Sequence, residues 1–312
     1  MSANRCGGTV VNKLEEPRTK NRPKNEHGAA PWMVHFGAAA FKSGSNSVSA
    51  PAQNSRVANE QLDALRRDRD ALWREISEAA QVQRRLSTPC QLRRGSFDIA
   101  GEIFPARHLS GDFLAAFDAG FHTVLGLGDI AGKGLSAGMW FTHLVGLVRV
   151  FAGSLADPAE VAARINGHLA ETRPEAPTTT LFLIRADAQT GEFVYCNAGH
   201  PAPLVLRRDG AVERLGPGGP LLGAIPDADF VNGRTILNPS DTLLAYSDGI
   251  VVCRNKRGEE FGMERLVEAT RSAVGPADAM LFSVLGATQD FAAGEPRMDD
   301  IALMVVHRLA GS

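Results

Sequence analysis

The stretch SGDFLAAFDAGFHTVLGLGD, residues 110–129, limits the folds open to this chain more than any other. Two apolar runs flank a central glycine, and a Gly-Asp pair stands at the far end of each. Apolar runs on either side of a glycine turn predict an antiparallel hairpin. With the turn centred on Gly120 and Phe121, Asp112 stands opposite Asp129 at the open end. Residues facing each other in such a pair lie about 5 Å apart. Two carboxylates that close repel, and each raises the other's pKa unless a cation sits between them. A hard divalent cation with oxygen ligands serves that purpose. The other reading is that both are ordinary turn residues. Each follows a glycine directly, which lets the backbone, and so its carbonyls, approach an ion.

Acidic strand ends recur. LLAYSDGIV places Asp248 at the end of an apolar run and again before a glycine, and PRMDDIALMVV places Asp299 and Asp300 just before another. Charged groups at the ends of buried strands are costly unless paired or metal-bound. Gathered at one rim, these carboxylates would suit two Mn²⁺ or Mg²⁺ ions. Two ions sharing a water favour hydrolysis at phosphorus. No GxSxG nucleophile motif competes. Lys133, in GDIAGKG, has two readings: a contact to substrate phosphate, or a solvated turn lysine. GxxxxGK[ST] is absent, which argues against a nucleotide-binding loop. His200 either orients a ligand or is a structural hydrogen-bonding group.

The surroundings point to one catalytic domain with a helical lead-in. Residues 1–55 are rich in Gly, Ser, Asn, Pro and Lys and are expected to be mostly disordered. Over 56–88, Ala58, Leu62, Leu65, Arg69, Leu72, Ile76, Ala79, Gln83 and Leu86 recur in steps of four and three. That is a heptad seam with two polar interruptions, Arg69 and Gln83. It fits either one amphipathic helix lying on the domain or a parallel coiled coil that makes a homodimer. Pro89 ends it. Residues 97–308 mix adjacent strands with paired helices, which predicts α+β with antiparallel sheets. A helix is expected from Leu135 to about Ala152, and another with Asp157 as N-cap. The formal charge of −2 attracts neither nucleic acid nor an anionic membrane. The four cysteines form no CxxC pair, and a reducing cytoplasm is expected. No signal peptide is recognised, and THLVGLVRVFAGSLA is expected to be too short to span a membrane.

Six motifs in order, SGDF, GDIAGKGLSAG, NAGHPAPLVL, GGPLLGAIPD, LLAYSDG…RNKRGEEFG and MDDIALMVV, resemble the SpoIIE-like branch of the PPM (type 2C) metal-dependent protein serine/threonine phosphatases. The resemblance covers roughly 97–308. It implies an αββα sandwich of two antiparallel sheets flanked by helices, with two Mn²⁺ or Mg²⁺ at one end. Carried over by motif, Asp129 would bridge both ions, with Asp112 and the Ile130 carbonyl on one and Asp248 and Asp299 on the other. Asp300 would support them or pair with a base. Catalysis would run through metal-activated water, without a phosphoenzyme. The implied substrate is a phosphorylated STAS-domain anti-sigma-factor antagonist in a partner-switching pathway, with an upstream sensor acting through the helix. Ala115, Val252 and Ala302 stand where family members often carry Asp, Glu and Thr. This leaves a second reading, a regulatory binding module with the phosphatase fold and little turnover.

Overall fold

The computed structural model describes residues 50–87, 90–172, 176–216, 218–273 and 275–310. Contacts divide the chain into two units, Met1–Ala58 and Asn59–Ser312. The extension expected to be disordered lies outside the described residues up to position 49. Its last residues are helical, because α1 runs Ala50–Leu86 and begins earlier than the heptad pattern. Pro51 falls in the first turn, where its missing N–H costs no helical hydrogen bond.

The domain is a sandwich of two antiparallel sheets. Its strands are β1 (Cys90–Arg94), β2 (Phe97–Phe104), β3 (Phe113–Ala119), β4 (His122–Ile130), β5 (Thr179–Ala186), β6 (Glu192–Ala198), β7 (Leu204–Leu206), β8 (Val212–Arg214), β9 (Gly233–Ile236), β10 (Thr242–Tyr246) and β11 (Ile301–Arg308). One sheet has the order β1-β2-β11-β10-β7-β8, the other β3-β4-β5-β6-β9. β1 precedes the expected start at 97. It is an edge strand with Leu92 packed on the core, too short for the alternation to announce it.

Period-two alternation sorts the side chains into three layers. Leu114, Leu125, Leu127, Phe182, Ala245 and Met304 meet between the sheets. Phe113, Val124, Ile130 and Leu181 face α2 (Leu135–Ser154) and α3 (Pro158–Glu171). Leu244, Tyr246, Leu303 and Val305 face α4 (Asp248–Val251), α5 (Gly262–Ser272) and α6 (Ala277–Ala292). Asp157 caps α3 as expected, accepting from the N–H groups of Ala159 and Glu160. α2 corrects one expectation: with 20 residues it is long and apolar enough to cross a membrane by length and composition. Its Ala137, Phe141, Leu144, Val145 and Val148 are buried against the β3–β4 sheet, which accounts for the apolar face.

The β3–β4 register pairs Ala119 with His122 and Phe113 with Gly128. This is the hairpin read from the sequence, and one step further out Asp112 faces Asp129.

Candidate metal centre

Both sheets open at the same rim. β3 begins after Asp112, β4 carries Asp129 at its end, β10 runs into Asp248, and β11 starts after Asp299 and Asp300. Asp112 and Asp129 share the parity of Leu114 and Leu127, and Asp300 that of Ala302. These three positions therefore belong to the inner faces of the sandwich. Asp248 opens α4, and a methyl on Gly249 would collide with the Asp300 carbonyl oxygen. That close approach is why a glycine follows Asp248.

The carboxylates feel one another. Burial raises the pKa of Asp112 well above the usual range, and Asp129, Asp300 and Asp248 push it further, while the Ser247 hydroxyl opposes. Asp129 is raised to about 6 by burial first, then by Asp248, Asp299 and Asp300, with Lys133 opposing. Asp248 is raised by burial and by Asp299, and Lys133 opposes again. Five carboxylates from four strand ends thus form one electrostatic unit.

Two observations fit this rim to a hard cation. Asp112 is 2% exposed, and its Oδ2 is buried with no hydrogen-bond partner. Such an oxygen is expensive without a donor or an ion. The second is the space beside Gly111. A methyl there would sit 2.8 Å from the Ile130 carbonyl oxygen, 3.4 Å from Asp129 Oδ1 and 3.5 Å from the Gly132 carbonyl oxygen. Three oxygens converge on a place that any larger residue would fill, and oxygen-only donors suit Mg²⁺ or Mn²⁺. Among the described residues, no three acidic, His or Cys side chains already enclose an ion. Asp299 and Asp300 already have partners. Lys133 Nζ lies 2.8 Å from Asp299 Oδ1 and donates to the Met298 carbonyl at 2.9 Å. Asp300 accepts from Ala106 N (2.7 Å), Gly111 N (2.8 Å) and Ser110 Oγ (2.9 Å).

His200 is buried and held neutral, its pKa driven down to about 3 by desolvation, with the Tyr246 backbone pulling the other way. Its Nδ1 shares a 2.8 Å hydrogen bond with Thr180 Oγ1, which also accepts from Asp129 N at 3.1 Å. His200 therefore steadies the Asp129 backbone, in keeping with the structural reading. Its N–H donates to Asn197 Oδ1 at 2.8 Å. Thr180, Ser110 and Ser247 were not singled out from the sequence. Each is one hydroxyl on or beside a strand, meeting the rim across long sequence separations, and no periodic pattern marks it. A cavity of about 230 Å³ lies at the opposite end of the hairpin, beside Gly120 and His122.

This architecture is that of PP2C-type phosphatase domains. The SiaA-PP2C domain of Pseudomonas aeruginosa matches with a TM-score of 0.66 at 18% identity, over 78% of this chain and 99% of that one. The catalytic domain of the serine/threonine protein phosphatase PstP, solved in complex with two manganese ions, matches with a TM-score of 0.52 at 14% identity, over 69% and 99%. The family model for Stage II sporulation protein E (SpoIIE) matches residues 119–309, and the chain belongs to that family. Protein IcfG of Synechocystis sp. is 26% identical over 263 residues, 75% of this chain and 41% of its own length. Phosphoserine phosphatase RsbU of Bacillus subtilis is 24% identical over 256 residues, 81% of this chain and 75% of its own. The chain thus spans less than half the length of IcfG. Fold and family together define a PP2C-type phosphatase domain of the SpoIIE family.

Proposed function

We propose that this protein hydrolyses phosphoserine or phosphothreonine on another protein, using two Mn²⁺ or Mg²⁺ held at the carboxylate rim. The observation that carries the proposal is the convergence of Asp112, Asp129, Asp248, Asp299 and Asp300 from both sheets, with an oxygen of Asp112 buried and unpartnered. Asp112, Asp129 and the Ile130 carbonyl would hold one ion, and Asp129, Asp248 and Asp299 the other. When bound, such ions lower the pKa of water and offset charge developing on the phosphoryl oxygens. Asp300 fixes the backbone of 106–111 and so holds Asp112 in place. His200 is neutral near pH 7; it orients Asp129 through Thr180 and is not a proton donor. Lys133, once free of Asp299, has its ammonium at the rim, where it can meet substrate phosphate.

The substrate we favour is a phosphorylated STAS-type anti-sigma-factor antagonist in a cytoplasmic partner-switching pathway, and the family and the likeness to RsbU support that choice. Homodimerisation through α1 belongs to the same proposal. Its seam residues Leu62, Leu65 and Leu72 are exposed. A second reading, a binding module with little turnover, is favoured by the Lys133–Asp299 pair, which occupies one proposed ligand.

The test is phosphatase assay of the full chain on phosphoserine peptides and p-nitrophenyl phosphate with Mn²⁺. Wild type should turn over both, EDTA should abolish activity, and Asp129→Asn should lose at least about 100-fold. Equal activity in wild type and Asp129→Asn overturns the proposal. Manganese binding without turnover supports the second reading.

A further inference from the structure

Two histidines that the rim does not use meet on the outer side of the domain. Only residues 155–157 separate α2 from α3, so the two helices turn back on each other, and both lay apolar faces on the β3–β4 sheet. His143 of α2 thereby stands across from His168 of α3. Their Nε2 atoms are 3.1 Å apart, and their ring centroids 5.1 Å apart. The Trp140 ring, partly buried against the core, meets His143 edge-on with centroids 5.5 Å apart and fixes one side of the pair. His143 is exposed and His168 half-buried, so water and dissolved ions reach both nitrogens.

Two imidazole nitrogens this close cannot both carry a proton on the line between them. Either one N–H donates to the other ring, or a cation takes the proton's place. The separation suits the cation. With metal–nitrogen bonds of about 2.0–2.1 Å, two nitrogens on one ion stand about 2.9–3.4 Å apart for bond angles from square to tetrahedral. Imidazole suits Zn²⁺, Cu²⁺ and Ni²⁺, whereas Mg²⁺ prefers oxygen. The end of α3 adds to the case. His168 lies in its last turn, where the partial negative charge of the helix terminus favours a cation. Glu171, three residues on and exposed, shares that side of the helix.

We propose that His143 and His168 form a cation site separate from the carboxylate rim, taking a nitrogen-seeking divalent ion such as Zn²⁺ or Cu²⁺, with water at its open positions. His143 stands eight residues into α2, about 12 Å along it from Leu135, and the site does not depend on the reading of the rim. An ion there links α2 to α3 over the outer face of the sheet. Bound to the folded chain, it stabilises the fold by mass action.

The experiment is calorimetric titration of the full chain with Zn²⁺ in excess Mg²⁺, which competes for oxygen ligands and leaves imidazole free. Wild type is compared with His143→Gln and His168→Gln. Each substitution should weaken Zn²⁺ binding at least about 10-fold, since loss of a ligand costs no less than loss of the groups that support one. Electron paramagnetic resonance of the same proteins with one equivalent of Cu²⁺ reads the ligands directly. Wild type should show splitting from two imidazole nitrogens, and each variant from one fewer. Equal Zn²⁺ affinity and unchanged splitting in the variants overturn the site, because other groups of the chain then hold the ion. Absence of Zn²⁺ binding to wild type in excess Mg²⁺ overturns it as well. If one variant does not fold, the other carries the comparison. Wild type alone supplies a further check: Zn²⁺ should raise its unfolding temperature in excess Mg²⁺, and an unmoved temperature overturns the link between the helices.

Discussion

The two sheets furnish the rim by opposite means. The β3–β4 hairpin presents Asp112 and Asp129 largely buried, close together and with raised pKa values, and Asp112 keeps one oxygen unpartnered. On the other sheet, the carboxylates ahead of β11 are already engaged. Asp300 accepts three hydrogen bonds from the 106–111 loop, and Asp299, 37% exposed, pairs with Lys133. The hairpin pair holds repulsion that a cation would relieve, while the two carboxylates ahead of β11 already have donors of the protein's own. The difference predicts which half limits stability and which half responds to metal.

Removing a satisfied carboxylate should do the greatest harm to the fold. Asp300→Ala strips acceptors from Ala106 N, Gly111 N and the Ser110 hydroxyl. Since hydrogen bonds to a charged group are worth roughly 1.5–3 kcal/mol each and do not add fully, the loss should be about 4 kcal/mol in urea unfolding. A loss under about 1 kcal/mol would remove the distinction between the halves.

On the hairpin side the sign reverses. Burial, and then the neighbouring carboxylates, push Asp129 from the ordinary 3.8 up to about 6. A carboxylate with a raised folded pKa contributes stability that is fully present below about pH 4 and lost as pH rises through about 6. The upper bound on that loss is about 3 kcal/mol, at 1.36 kcal/mol per pH unit. In EDTA, Asp129→Asn should therefore be more stable than wild type at pH 7.5, and the gain should vanish near pH 4. Taking the difference between variants cancels His200 and His307, whose lowered pKa values cost stability as pH falls. A destabilised Asp129→Asn at pH 7.5 would contradict the stored repulsion.

The smallest effect belongs to the exposed pair. Lys133→Met should change stability by about 0.5 kcal/mol or less. By releasing Asp299 it should tighten Mn²⁺ binding about twofold. Weaker binding would show that Lys133 positions Asp299 for the metal and does not compete with it.

The hairpin half was the more legible in the sequence. A glycine turn between two apolar runs defines a register, and the register places Asp112 against Asp129 without knowledge of anything distant. Asp248, Asp299 and Asp300 were visible as strand-end acids. What holds them was not. Asp300 reaches Gly111 and Ser110 across the sandwich, and Lys133 reaches Met298 and Asp299 from the turn that follows β4. Such contacts depend on how the sheets stack, which alternation within one strand does not encode. Gln83 shows the same limit. In the heptad it reads as a flaw, and only the fold shows its side-chain amide paired with both backbone groups of Ser110.

If the rim holds two divalent cations through Asp129, calorimetric titration of metal-free protein with Mn²⁺ should give two ions per chain in wild type and at most one in Asp129→Asn. Two ions bound equally by both proteins, or none by either, would rule out that role for Asp129.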